Sequence, residues 1–536
     1  MRRTILTTVG LLAMATSAEM LDLKSLPAEK WWGGSTYMGR YQPYGNLSER
    51  NQCIDNDNNQ VSPFFVSSAG RYVWSEKPLK FSAKDGNLSL ESAAKIELVE
   101  AGSTLRDAFL IASKRHFPST GVIPPEDFFT RPQYNHAIES HITGRNQASV
   151  ERYACAIAGN GFPMGIVIVD DYWMKDFGVW EFDPGTFPDP KGMVERLHAL
   201  GAKVMLWVVP YVSADSLEGL DLYNRHWIVG RANPSEYEYA AIVKWWSGYS
   251  FAYDFTVPEA RRHFSDILKG LQRDFGVDGY KFDGADIWHY TLSSPTGCKF
   301  NKGGYTAADN CRDYSLIAVE FPYNELRASY KTAGLPLVQR LQDKAHSWEA
   351  VQQLIPDMLA AGILGYAYTC ADMIGGGLLG DFEAKKYTID HKIFIRSCQV
   401  HALMPMMQFS LAPWRVLTKE EMTICRDAAN LHVEFAAYIL SLAHYSSKTG
   451  EPIVRYMEYE FPHQGLEMVR DQFMLGSDWL VAPIVSADDS REVRLPKGTW
   501  TDDLGQKHVG PKTLELTNVP LGRIPRYRLC RRGMDM

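Results

Sequence analysis

The sequence predicts a multidomain α/β protein in which a (β/α)8 barrel is flanked by an N-terminal β-sandwich and a small C-terminal β-domain. The 536 residues are too many for one domain and leave room for roughly three. From about residue 113, apolar strands alternate with amphipathic helices, the pattern of βαβ units. Both ends of the chain instead carry short β-type runs separated by turn residues.

The flanking domains are assigned from these short runs. Residues 19–112 contain runs such as Arg71–Ser75, broken by Gly and Asn clusters, and are expected to form the sandwich. Near the other end, runs such as Trp479–Val485 predict the C-terminal β-domain over residues 476–536. The barrel is therefore expected over residues 113–475.

Eight apolar segments are predicted to be the barrel strands. They are Gln133–Glu139, Gly165–Asp171, Lys203–Pro210, Val277–Asp283, Leu335–Arg340, Gly365–Cys370, Pro405–Ser410 and Pro452–Tyr456. Residues 215–252 are rich in Trp, Tyr and Gly and interrupt the alternation. We expect this insertion to lie over the barrel mouth.

Residues 1–18 have the features of a secretory signal peptide. Arg2 and Arg3 precede the apolar run Ile5–Ala15, and the small residues Ala15–Ala18 offer a cleavage site. No other stretch reaches the roughly 18 apolar residues of a membrane span. The mature protein is therefore expected to be secreted or periplasmic and to have no membrane segment.

Charge and motif content exclude several classes of function. The net charge of −7 without basic runs makes nucleic acid an unsuitable partner. The sequence has no HExxH motif and no CxxC pair, so no metal site is predicted. Nothing in the sequence indicates an oligomeric state.

Two carboxylates follow predicted barrel strands and suggest the chemistry. Asp283 ends the strand Val277–Asp283, and Asp343 follows Leu335–Arg340. Carboxyl ends of barrel strands form the active-site floor, and two carboxylates are the machinery that cleaves a glycosidic bond. Asp283 is predicted to be the nucleophile. Asp343 is predicted to be the acid/base, with a pKa that the nucleophile's charge helps to raise.

Other polar residues near these strand ends remain candidates with open roles. Asp286 and Asp372 are rivals for the acid/base role. Asp170 and Asp171 end another strand, and alternation does not decide which of them meets the substrate. Arg340 is expected to bind a hydroxyl, to hold the nucleophile ionised, or to form a structural ion pair.

Taken together, several segments resemble glycoside hydrolase family 31 in their order along the chain. Lys281–Asp286 (KFDGAD) matches the family's nucleophile motif, and Gly365–Gly377 resembles its loop ending in Asp-Ile-Gly-Gly. The stretches Asn59–Glu76 and Phe182–Pro210 resemble its sandwich signature and the segment joining the second and third barrel strands. The resemblance covers nearly the whole mature chain.

This resemblance implies a retaining, cofactor-free enzyme with a carbohydrate substrate, acting mostly on α-linked glycosides. It implies that Asp283 is the nucleophile and Asp343 the acid/base. The residues implied to line the subsite for the non-reducing sugar are Asp170, Asp171, Trp207, Lys281, Arg340 and Asp372.

Within the family, the chain most resembles the branch of myogenesis-regulating glycosidase and bacterial α-galactosidases. Leu341–Asp343 reads Leu-Gln-Asp as in that branch, whereas α-glucosidases of the family carry Trp-x-Gly-Asp. This favours an α-galactosidase; α-glucosidase, α-xylosidase, α-N-acetylgalactosaminidase and a catalytically silent carbohydrate-binding protein remain alternatives. One departure is that His136–Ala137 stands where the branch has an aromatic residue. The loss of a Trp at Ala137 would alter the sugar pocket if Ala137 faces it.

Overall fold

The computed structural model describes residues 18–234 and 239–530. The predicted signal peptide, residues 1–18, lies outside these ranges except for Ala18, so it stays a prediction. Among the described residues, no helix is both long and apolar enough to cross a membrane.

Residues 18–112 form the predicted β-sandwich from two antiparallel sheets, whose facing sides bury Trp31, Phe65 and Phe81. The strands of one sheet, in spatial order, are Glu19–Leu23, Asn87–Ser92, Leu79–Lys84 and Leu47–Asn51. Those of the other are Trp31–Ser35, Gln60–Ser67, Arg71–Ser75 and Ile96–Glu100. Ser329–Tyr330, from the barrel region, pairs with Gln60–Ser67 and so joins the two domains through backbone hydrogen bonds.

Within the described ranges, eight parallel strands close into the predicted barrel. In chain order they are Gln133–Asn135, Ile166–Val169, Lys203–Val208, Gly279–Phe282, Tyr323–Leu326, Gln339–Arg340, Thr369–Met373 and Met406–Phe409. Every residue of the second strand is fully buried, as expected of a parallel strand covered on both faces. Seven of the predicted strand segments overlap these strands.

The eighth predicted strand was assigned wrongly. Pro452–Tyr456 contains the strand Val454–Arg455, but this strand pairs with Phe473–Leu475 in the C-terminal sheet. The missing barrel strand is Tyr323–Leu326, which the prediction did not include. Its buried Asn324 and Glu325 make the segment too polar to resemble a core strand.

The C-terminal β-domain is a single sheet that begins before residue 476. Its strands within residues 450–530, in spatial order, are Val454–Arg455, Phe473–Leu475, Trp479–Val481, Arg526–Leu529, Arg491–Asp502 and Lys507–Leu516. Trp500 and Tyr527 are fully buried in its core.

Helices cover the outside of the barrel. Pro258–Phe275 shows why they form where they do: Pro258 occupies the first turn, and Gly276 ends the helix with a φ of +78°. The long helices are Leu105–His116, Gln147–Gly159, Pro190–Ala199, Pro258–Phe275, Ala307–Ala318, Trp348–Ile363, His391–His401, Lys419–Glu434 and Ala436–Thr449. Shorter ones are Thr36–Tyr41, Asp127–Thr130, Ile138–Thr143, Leu217–Asn224, Ile287–Thr291, Leu379–Ala384, Pro413–Val416 and Met457–Glu460.

The predicted insertion reaches the barrel mouth. In its described part, Val243–Trp245 and Gly248–Ala252 form a hairpin that pairs with Tyr211–Val212, just after the third barrel strand. The hairpin places Trp245 and Trp246 against the cavity described below.

Candidate active site

A cavity of about 710 Å³ opens at the carboxyl ends of the barrel strands. Six of the eight residues predicted for the site line it: Asp170, Asp171, Trp207, Lys281, Asp283 and Asp343. The other two, Arg340 and Asp372, are buried behind Asp343 and do not line it. Their predicted contacts with a sugar, like those of the lining residues, stay predictions.

Asp283 is held as an ionised carboxylate at the end of its strand. It accepts hydrogen bonds from the Trp207 indole Nε1–H at 2.8 Å and from the Gly284 backbone N–H at 2.9 Å. Burial alone would raise its pKa, but the charges of Lys281, Arg327 and Arg340 and the Trp207 hydrogen bond lower the pKa to about 2. At neutral pH this side chain therefore has the charge that a nucleophile requires.

Gly284 lets the chain turn tightly after Asp283. Its φ is +70°, and a Cβ there would lie 2.8 Å from the ring of Tyr211. A side chain at this position would therefore be both strained and obstructed.

A buried ion pair between Lys281 Nζ and Asp170 Oδ2, 2.7 Å apart, forms part of the cavity lining. Asp171 is less enclosed, with a side chain 25% exposed and 3.9 Å from Arg145. Burial and the neighbouring charge of Asp170 raise the pKa of Asp171 to about 6. Both aspartates thus face the cavity, and Asp171 is the less enclosed of the two.

Asp343 is an arginine-paired carboxylate in the free site. Arg340 Nη1 lies 2.6 Å from its Oδ1, and Arg327 Nη1 lies 3.5 Å from its Oδ2. Burial and the charge of Asp283 raise its pKa, but Arg340, Arg327 and Lys281 outweigh them, and the pKa is lowered. The prediction of a raised pKa is therefore wrong for the free site, because it did not include the two arginines.

Arg340 forms ion pairs with Asp343 and with two buried carboxylates, Asp372 and Glu325. Its side chain is 1% exposed, and its guanidinium lies 3.4 Å from both Asp372 and Glu325. Asp372 also accepts a hydrogen bond from the Lys344 backbone N–H at 2.8 Å. Of the roles considered for Arg340, the structure supports two: an ion pair with Asp343, and a charge that lowers the pKa of Asp283.

The two rival acids have raised pKa values but no access to the cavity. Burial raises the pKa of Asp286 to about 6, although Arg327 opposes the rise. Burial and the charge of Asp343 raise the pKa of Asp372 to about 7. Both side chains are fully buried, and neither lines the cavity. They cannot reach a leaving-group oxygen there.

Arg327 is the main site residue that the prediction missed. Its Nε lies 3.9 Å from Asp283 Oδ1 and 3.4 Å from Asp286 Oδ2, and its Nη1 is the atom near Asp343. It follows Tyr323–Leu326, the barrel strand that was not predicted. Recognising that strand would have placed an arginine at its carboxyl end.

A segment of the sandwich domain, residues 56–60, completes the site. Asn56 donates to Asp286 at 3.1 Å, and Asn59 Oδ1 accepts from the backbone N–H of Gln342 at 3.0 Å. Asn58 lines the cavity and accepts from the Trp288 indole N–H at 2.7 Å. These contacts span more than 200 residues of sequence and were not predictable from local pattern.

The outer wall of the cavity combines aromatic and small side chains. Trp246 is 45% exposed, and its ring lies 4.9 Å from the Arg327 guanidinium carbon. Ala137 and His141 also line the cavity. Ala137 therefore faces the cavity.

No group of three His, Cys, Asp or Glu side chains in residues 18–234 and 239–530 could hold a metal ion.

Family models match both large parts of the chain. The glycosyl hydrolases family 31 TIM-barrel domain matches residues 133–442, and the glycosyl hydrolase family 31 C-terminal domain matches residues 450–529. Among curated proteins, the mouse (Mus musculus) myogenesis-regulating glycosidase is 28% identical over 430 residues, covering 78% of this chain and 59% of its own length. The α-xylosidase XylQ of Lactiplantibacillus pentosus is 24% identical, covering 85% and 60%. The chain thus spans about six-tenths of these two relatives.

Solved structures share the fold. A Flavobacterium johnsoniae GH31 dextranase mutant complexed with isomaltotriose superposes with a TM-score of 0.82 at 19% identity, covering 96% of this chain and 66% of that one. A xylosidase from Aspergillus niger gives 0.82 at 17% identity, with 96% and 80% covered. Because the TIM-barrel model alone matches more than half of the residues, the chain belongs to glycoside hydrolase family 31.

Proposed function

We propose that the protein is a retaining, exo-acting α-glycosidase that hydrolyses terminal α-linked sugars, with α-galactosides as the favoured substrates. The observation that carries the proposal is the placement of Asp283 and Asp343 on one cavity, 3.9 and 3.5 Å from the guanidinium of Arg327. Two carboxylates beside one ligand cavity, each held by its own partners, are what the two-step reaction requires.

The first chemical step uses both carboxylates. Asp283 attacks the anomeric carbon, the bond to the leaving oxygen breaks, and protonated Asp343 gives that oxygen its proton. In the second step, ionised Asp343 removes a proton from water, the water oxygen attacks the anomeric carbon, and Asp283 leaves. The configuration at the anomeric carbon is retained because it is inverted twice.

The first step requires that Asp343 gain a proton when substrate binds. Its side chain is 27% exposed in the free site, so a bound glycoside would cover it and remove the water that solvates its charge. Desolvation raises the pKa of a carboxyl group and here opposes the effect of the two arginines. Protonation coupled to substrate binding is therefore part of the proposed mechanism.

Exo action is supported by the Lys281–Asp170 ion pair in the cavity lining. The Lys281–Asp170 pair is buried, so a sugar whose anomeric carbon lies over Asp283 would have its far side against this pair. The Leu-Gln-Asp sequence at Leu341–Asp343 supports galactose as that sugar. One observation favours a second substrate: the small Ala137 in the cavity wall leaves room for a bulkier substituent, as in an α-N-acetylgalactosaminide.

A panel of 4-nitrophenyl α-glycosides tests the proposal. We expect release from the α-galactoside by the wild-type protein and none by the Asp283→Ala variant. NMR of the first product formed should show the α-anomer. Release from the α-glucoside or α-xyloside alone would reject the galactoside assignment, and release of the β-anomer would reject retention.

Export through the N-terminal signal is a separate part of the proposal. It rests on Arg2, Arg3 and the apolar run Ile5–Ala15. Mass spectrometry of the protein recovered from its native host tests it. We expect an N-terminus near residue 19, and an intact residue 1 on the recovered protein would contradict cleavage.

A further inference from the structure

A buried ion pair lies directly behind the predicted acid/base. Lys344, the residue after Asp343, places its Nζ 3.2 Å from Asp357 Oδ2. The Lys344 side chain is 4% exposed and that of Asp357 is fully buried, and neither residue lines the cavity. Each charge of a buried pair at this distance stabilises the other. Removing one of them would leave an uncompensated buried charge and destabilise the fold.

Asp357 lies on a long, packed element. It belongs to the helix Trp348–Ile363, whose first turn is capped by the Ser347 hydroxyl at 3.3 Å from the Ala350 N–H. Gly39 of the sandwich domain approaches this helix so closely that a Cβ would lie 2.3 Å from the Pro356 carbonyl oxygen. The helix is thus a fixed base for any side chain that binds Asp357.

Lys344 connects this helix to the loop that contains Asp343. Its Nζ donates to the Gln342 carbonyl at 3.5 Å, and its backbone carbonyl accepts from the N–H groups of Gly377 and Leu378, both at 3.0 Å. The ammonium therefore reaches back past Asp343 to the residue before it. A loop that places a catalytic carboxyl must keep it within a fraction of an ångström, because small displacements reduce rate steeply.

We infer that the Lys344–Asp357 ion pair positions Asp343 for proton transfer, so that both are positioning residues of the acid/base and do not touch the substrate. The inference rests on the proposed function, in which Asp343 protonates the leaving group. Burial raises the pKa of Asp357 to about 7 although the charge of Lys344 opposes the rise, so the ionised form of Asp357 depends on Lys344 remaining in place.

The test compares leaving groups in the Asp357→Asn variant. General-acid catalysis accelerates the departure of a poor leaving group such as an alkoxide strongly, and that of 4-nitrophenolate only slightly. We expect kcat/KM for an alkyl α-glycoside to fall about 10- to 100-fold more than for the 4-nitrophenyl α-glycoside. This ratio does not depend on the fraction of folded enzyme, so a loss of stability alone cannot change it.

Two further variants keep the test decisive. Lys344→Met combined with Asp357→Leu removes both charges without leaving one unpaired, so it is expected to fold and to show the same selective loss. Glu451→Gln is the matched control, because Glu451 is a buried carboxylate that pairs with Arg106 away from the cavity. It should lower stability and leave the ratio unchanged.

The outcomes separate the inference from the function. Equal losses for both leaving groups in Asp357→Asn and in the double variant would overturn the positioning role while the enzyme remained a glycosidase. A wild-type protein inactive on every α-glycoside tested would overturn the proposed function and the positioning role with it. A selective loss that appears also in Glu451→Gln would overturn the inference, because it would not be specific to this pair.

Discussion

The indole N–H of Trp207 donates to the Asp283 carboxylate at 2.8 Å, from a side chain that is 1% exposed. Both residues end neighbouring barrel strands, paired in register so that Trp207 lies opposite Lys281. The hydrogen bond stabilises the charged form of Asp283 and adds to the effect of three nearby cations on its pKa. Its removal should be visible in the pH dependence of the reaction.

Trp207→Phe is predicted to weaken catalysis and move the acidic limb of the pH profile. The variant keeps an aromatic ring but loses the donor, so the pKa of Asp283 should rise. Activity requires ionised Asp283, and therefore the acidic limb of kcat/KM should shift to higher pH. A hydrogen bond to a charged group is worth about 1.5–3 kcal/mol, or about 10- to 100-fold in rate if it is needed in the transition state.

Measurement of kcat/KM from pH 2 to 9 on the 4-nitrophenyl substrate checks this prediction, because the pKa of Asp283 in the wild type is about 2. Trp245→Phe serves as control, because Trp245 lines the same cavity and donates to Ser250, not to Asp283. An acidic limb that moves to lower pH in Trp207→Phe would contradict the assigned role of the hydrogen bond.

Arg327→Met is predicted to shift both limbs of the pH profile in the same direction. Arg327 lowers the pKa of both Asp283 and Asp343, so its removal should raise both. The active form carries ionised Asp283 and protonated Asp343. Both the acidic and the basic limbs should therefore move to higher pH.

Arg327→Lys is the control for this change, since it keeps a positive charge at the same place. It should retain much of the wild-type profile, although an ammonium cannot reproduce the guanidinium geometry. Thermal unfolding should accompany both assays, because Arg327 also pairs with the buried Asp286 at 3.4 Å. Limbs that move apart in Arg327→Met would show that one arginine does not govern both carboxylates.

A buried histidine far from the cavity is predicted to cause part of the acid lability of the fold. Burial lowers the pKa of His432 to about 4, and the side chain is fully buried on the helix Lys419–Glu434. Because the unfolded chain binds this proton near its ordinary pKa of 6.5 and the folded chain does not, stability falls as the pH drops from 6.5 towards 4. The free energy of unfolding is expected to fall by about 3 kcal/mol in total through the titration of this histidine.

Thermal midpoints from pH 4 to pH 7 measure this effect. His432→Gln keeps a donor for the Ala402 carbonyl and should show a smaller fall in midpoint at low pH than the wild type. His444→Gln, at an exposed position, should follow the wild type. A fall that is the same in all three proteins would assign the acid lability to other groups.

The position of Asp283 at the cavity could be predicted because strand ends can be read locally. Val277–Asp283 was predicted as an apolar strand followed by a glycine, and a barrel places such an aspartate at its mouth. The same reasoning succeeded for Asp170, Asp171 and Asp343. It failed for Tyr323–Leu326, whose Glu325 is inside the barrel, 3.4 Å from Arg340 and 2.6 Å from Gln408. Because polar side chains occupy the interior face of this strand, its sequence lacks the apolar run by which the other barrel strands were recognised.

The electrostatics of Asp343 could not be predicted from its neighbours in sequence alone. Its pKa depends on Arg327, 16 residues away and on another strand, as well as on Arg340. The segment of Asn56 and Asn59 has the composition of a turn, and only the docking of the sandwich on the barrel gives it contact with Asp286 and Gln342. Pairings between distant segments are set by tertiary packing.

Ala137→Trp is predicted to narrow the range of sugars that the cavity accepts. Ala137 forms part of the cavity wall, and an indole there would fill adjoining space. Binding of an unsubstituted galactoside should change by only a few-fold, because its proposed contacts are with Asp170 and Lys281 and not with Ala137. A galactoside with an N-acetyl group directed to this wall should lose about 5- to 160-fold in kcat/KM, since overpacking costs about 1–3 kcal/mol.

The comparison uses the 4-nitrophenyl α-galactoside and α-N-acetylgalactosaminide with wild type, Ala137→Trp and Ala137→Ser. Serine adds one oxygen to the wall and should leave the ratio of the two kcat/KM values near that of the wild type. If the wild type accepts the N-acetylated sugar and Ala137→Trp does not, the space beside Ala137 is where the substituent binds. An unchanged ratio in the Trp variant would mean that the substituent points elsewhere, and that Ala137 does not set the choice between these two sugars.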